Sequence, residues 1–61
     1  MFRIDKVAQA KEITRFELMF VAFKEAKVSN PSSRSAQALS DWRQGDKLDP
    51  IVRSYVDRFL Y

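Results

Sequence analysis

The side chains able to do chemistry here are eight Asp and Glu, eleven Lys and Arg, two Tyr and a scatter of Ser and Thr, because the chain has no His and no Cys. Without imidazole or thiol there is no Ser-His-Asp triad, no cysteine nucleophile and no imidazole base. The same absence removes disulfides, structural zinc and the common transition-metal sites. Gly45 is the only glycine, so a glycine-rich phosphate loop and a dinucleotide fingerprint are also excluded. The remaining carboxylates, lysines and tyrosines form no recognisable constellation. The sequence is therefore read as a non-enzyme with no catalytic residues, no cofactor and no metal.

Binding is what these residue types leave open. A net charge of +3 is compatible with nucleic acid, but the charges alternate in sign along the chain instead of forming a basic arm. The second half resembles a helix-loop-helix over residues 31–60. It would offer Arg53 and Arg58 to a groove and Arg34, Arg43 and Lys47 to phosphates. Three features oppose that reading. The connection from Gly45 to Asp49 exceeds the usual 3–4-residue turn, Asp57 sits among the candidate base-reading residues, and the basic residues do not cluster. DNA binding is accordingly the alternative, and contact with protein is the expectation.

That expectation comes from the stretch Thr14 to Ala26, which holds the longest apolar run, Leu18 to Phe23. Phe16, Met19, Phe20, Phe23 and Ala26 recur at i, i+3, i+4, i+7 and i+10, the spacing of an amphipathic helix. Leu18, Val21 and Ala22 then point away from that face, and a helix apolar on two sides is sandwiched between partners. These three are the candidate protein interface, and the expected partner is a second copy, since closed dimers are the commonest oligomers. Size points the same way. A 61-residue chain buries only about 60 % of its unfolded surface, and without disulfide or metal the staple still open is association.

Elements follow from local signals. Asp5 can cap a first helix of good helix formers. Thr14-Arg15-Phe16-Glu17 matches a capping box, with Ile13 and Leu18 at the hydrophobic-staple positions. Taken literally, a new helix begins at Thr14. So short a motif also matches by chance, and one continuous helix from Asp5 to about Lys27, bent near Thr14, is the expectation. Asn30-Pro31 opens a second helix running to about Gln44, which Gly45 ends. Its stripe is Ser35, Ala38, Leu39 and Trp42. Asp49-Pro50 opens a third helix, carrying Ile51, Val52, Tyr55, Val56, Phe59 and Leu60.

The expected fold is all-α: one domain over residues 1–61, a small bundle of about three helices with a long first helix and two shorter ones. The expected core is Phe16, Met19, Phe20, Phe23, Leu39, Trp42, Tyr55, Val56 and Phe59, and the chain end at Tyr61 is expected to be docked. No run approaches the roughly 20 apolar residues needed to span a bilayer. The opening residues lack the apolar region of a leader, so no membrane role and a cytoplasmic location are expected.

Overall fold

The computed structural model describes residues 3–45 and 47–59. Within them lie four helices and no strand: α1 (Arg3–Lys11), α2 (Arg15–Glu25), α3 (Pro31–Arg43) and α4 (Pro50–Asp57). The bundle of about three helices is thereby corrected to four. The difference is the long first helix, which is two helices joined at Glu12, Ile13 and Thr14. The expected place of Leu60 on the last helix and the docking of Tyr61 fall outside the described residues.

The break has a stop signal and a start signal in direct succession. At the end of α1, Glu12 N–H donates to the Gln9 carbonyl at 3.1 Å and Ile13 N–H to the Ala8 carbonyl at 3.0 Å. Glu12 itself takes φ 58°. This is a Schellman motif with glutamate in the left-handed position that glycine normally fills. Thr14 then caps α2: Glu17 N–H donates to Thr14 Oγ1 at 3.0 Å, and Thr14 N–H to Glu17 Oε1 at 3.5 Å. The capping box is real, and it starts a separate helix.

The same device ends α2. Lys27 N–H donates to the Lys24 carbonyl and Val28 N–H to the Phe23 carbonyl, both at 3.0 Å, with Lys27 at φ 60°. Ile13 and Val28, each the residue after a left-handed one, are partly buried against the core, as the motif's apolar contact requires. α3 ends at Gly45, φ 88°. α4 begins where Asp49 Oδ1 accepts the Ile51 N–H at 2.9 Å, with Pro50 in the first turn.

α2 is the hub. It packs against α1, α3 and α4, and α4 also meets α1, whereas the backbones of α3 and α4 do not approach closely. α3 runs antiparallel to α2: the Arg15 guanidinium lies 5.0 Å from the centroid of the Trp42 ring, and that of Arg34 lies 5.1 Å from the centroid of Phe23. The core draws one stripe from each helix, at spacings of three and four residues where it is a single row. These stripes are Ile4, Val7 and Ala8; Leu18, Met19, Ala22 and Phe23; Ser35 and Ala38; and Val52, Tyr55 and Val56. Ser35 is buried, and its hydroxyl donates to the Pro31 carbonyl at 2.6 Å, so a small polar side chain sits in the core with its hydrogen bond made.

Ion pairs join elements that the core has already brought together. Arg3 meets Asp57 at 2.7 Å, Arg15 meets Asp5, Arg34 meets Asp49 at 3.4 Å, and Arg58 meets Glu25 at 2.9 Å. All are partly exposed, so each is worth at most about 1 kcal/mol and fixes register more than it adds stability.

Candidate functional site

The outer face of α2 is set by the break at Thr14. Once a helix starts there, Leu18 stands at the fourth helical position, where a staple residue turns inward towards Ile13. At 100° per residue, Met19, Ala22 and Phe23 follow it onto the buried side. Glu17, Phe20, Val21 and Lys24 are left on the opposite side, with Phe16 at its edge.

Exposure follows this phase. Leu18 and Phe23 are 0 % exposed and Ala22 is buried, whereas Phe16 and Val21 are each 36 % exposed and Phe20 is half-buried. Of the three candidate interface residues, only Val21 lies on the surface; Leu18 and Ala22 are core, because the inward face of α2 runs from Leu18 through Ala22 and Met19 to Phe23. Met19, Phe23, Tyr55 and Val56 occupy the expected core, and Leu39 and Trp42 pack against it half-buried. Phe16 and Phe59 are corrected from core to surface, and Phe20 to its margin. The signal that finds Phe16 and Phe20 is the staple: reading Leu18 as inward turns both phenylalanines away from the centre.

On the outer face Phe16 and Phe20 form one apolar group. The Phe16 and Phe20 rings stack with centroids 6.5 Å apart and planes 18° from parallel. Lys24 Nζ stands 5.7 Å from the Phe20 ring centroid, a cation–π distance that leaves the ammonium at the rim of the patch. Phe59, 48 % exposed, is a separate feature. It packs edge-on against Tyr55 at 4.9 Å, with Lys11 Nζ 4.1 Å from its centroid.

The five candidate nucleic-acid contacts line three concavities, each of them lined by a carboxylate as well. Arg34 and Lys47 line one concavity, together with Asp41 and Asp49. Arg53 and Arg58 line another, with Asp57. Arg43 lies beside Asp5, Arg15 and Phe16. Arg34 and Arg58 are already paired with carboxylates. The close crossing of two helices that characterises a helix-turn-helix is not formed by α3 and α4.

The carboxylates are likewise engaged in structure. Asp5, Asp57, Asp49 and Glu25 hold arginines, Glu17 closes the capping box, and Asp41 accepts from Gln37 at 2.9 Å. Among the described residues no cluster of acidic side chains could hold a metal, and no buried side-chain nitrogen or oxygen lacks a partner. No described helix is long and apolar enough to cross a membrane. Scans against protein-family models, curated proteins and solved structures each returned no match.

Proposed function

We propose that this chain is a non-enzymatic helical module that works through protein–protein contact, with the outer face of α2 as its working surface and self-association as its mode. The observation that carries this reading is the exposure of Phe16 and Val21, with half-buried Phe20 stacked on Phe16, on the helix that also forms the centre of the core. Scattered exposed hydrophobes are ordinary, but a stacked pair of rings and an exposed valine on one helix face, with Glu17 and Lys24 between them, has the composition of a contact surface. Aromatic side chains supply large contact area at low entropic cost. The engagement of Asp5, Glu17, Glu25, Asp41, Asp49 and Asp57 in ion pairs, caps and side-chain hydrogen bonds supports the non-enzymatic part.

Sedimentation equilibrium from micromolar to millimolar protein tests the reading. The wild type is expected to move from a 7.2 kDa monomer to twice that mass. Val21→Asp, at an exposed helical position, is expected to keep its helix content by circular dichroism and remain monomeric. A wild type that stays monomeric at every concentration would overturn self-association.

A further inference from the structure

Glu17 and Lys24 are exposed and seven residues apart on α2, two turns or about 10.5 Å along the axis. At 100° per residue they fall within about 20° of one line, which runs down the middle of the outer face. The midpoint between them lies between Phe20 and Val21, which flank that line on either side. We infer that two copies pair through α2 in an antiparallel arrangement, about a two-fold axis passing between Phe20 and Val21. This inference rests on the reading of the α2 outer face as the contact surface and specifies its partner and register.

A two-fold axis at that point sets each residue opposite the one equidistant on the other side. Glu17 meets Lys24 of the second copy, and Lys24 meets its Glu17, so one contact occurs twice. Phe20 meets Val21 of the second copy, again twice, in the centre. Such self-matching is what an isologous interface demands. It also excludes the parallel pairing, which would set Glu17 against Glu17 and Lys24 against Lys24. The charge pattern therefore selects the orientation while the apolar pair supplies the contact. One helix face is small against the roughly 800 Å² per partner of a standard interface, which puts this dimer in the weak, transient class.

The test compares dimerisation constants of the wild type, K24E, E17Q/K24E and E17K/K24E by sedimentation equilibrium. K24E leaves the capping box intact and turns both cross-pairs from attractive to repulsive, so a loss of about tenfold is expected from two exposed pairs. E17Q/K24E retains a glutamine able to close the box and is expected to recover about half of the loss, since it removes the repulsion without restoring the attraction. E17K/K24E restores opposite charges in swapped positions and is expected to return towards the wild-type constant, its helix content being checked by circular dichroism. A wild type that dimerises with K24E unchanged would overturn the two-fold register while leaving the α2 surface in place. The register is equally overturned if K24E weakens the dimer and E17Q/K24E brings no recovery. A wild type that is monomeric throughout overturns both the register and the surface.

Discussion

Leu18 and Phe16 stand two residues apart on α2, and their truncation should have opposite consequences. Leu18 is fully buried among residues of the central cluster. Leu18→Ala deletes three carbon atoms, about 2.4 kcal/mol at roughly 0.8 kcal/mol per buried group. The cavity left behind adds to that, so a loss of about 3–4 kcal/mol is expected, within the range seen for leucine truncations. A domain of this length has a total stability of about 3–9 kcal/mol. Leu18→Ala is therefore expected to leave a marginal or largely unfolded protein at room temperature. Phe16→Ala removes a ring that is 36 % exposed at the edge of the outer face. It is expected to cost less, about 1.5–2.5 kcal/mol, from the roughly two thirds of its area that packs and from the Phe20 stack. Urea titration followed by circular dichroism at 222 nm, at a protein concentration low enough to keep the chain monomeric, measures both. If Leu18→Ala costs under 1 kcal/mol, or if Phe16→Ala costs more than Leu18→Ala, the assigned phase of α2 is wrong, and with it the surface proposed for contact.

Two further perturbations test how the bundle is held. Glu12 and Lys27 carry side chains at φ 58° and 60°, where a Cβ costs about 1 kcal/mol. Glu12→Gly and Lys27→Gly are each expected to raise the melting temperature by a few degrees, part of the gain being offset by unfolded-state entropy. A fall in either case would refute the left-handed cap assigned there. Ser35 is fully buried against α2, its hydroxyl satisfied by the Pro31 carbonyl. Ser35→Leu is expected to destabilise by about 1–3 kcal/mol through overpacking, whereas Ser35→Ala stays within about 1 kcal/mol of wild type because the hydrogen bond it loses is local. Equal tolerance of alanine and leucine would mean that α3 does not lie as close to α2 as described.

Much of the fold is legible in the sequence because its start signals are chemical. Asn30-Pro31 and Asp49-Pro50 mark α3 and α4, and both helices begin there: Asp49 through a side-chain cap and proline, Asn30 through proline alone, its side chain making no cap hydrogen bond. The stop signals are harder to read. Sequence reasoning looks for glycine after a helix, and Gly45 does end α3, but two of the three left-handed stops among the described residues are glutamate and lysine. Neither residue type announces such a conformation, because in both cases the motif is held by backbone bonds and by the burial of the next residue, Ile13 or Val28. With no visible stop at Glu12, the capping box at Thr14 looks accidental. A continuous helix then takes the face of α2 from aromatic spacing alone, and that spacing puts the largest rings in the core.

The hidden stop bears on the site as much as on the fold. Phe16, Met19, Phe20 and Phe23 at i, i+3, i+4 and i+7 satisfy the helical period whichever side faces inward, so periodicity gives a face without saying which way it points. What decides is the connection: α1 stops at Glu12 and α2 starts at Thr14, Ile13 packs against the core, and Leu18 at the staple position is buried with it. With Leu18, Met19, Ala22 and Phe23 already filling the space between α1, α3 and α4, Phe16 and Val21 stay at the surface and Phe20 at its margin. The apolar surplus read from the composition of α2 is genuine. It is carried by other residues than Leu18 and Ala22, and those residues are flanked by an acid and a base at the spacing a second copy could match.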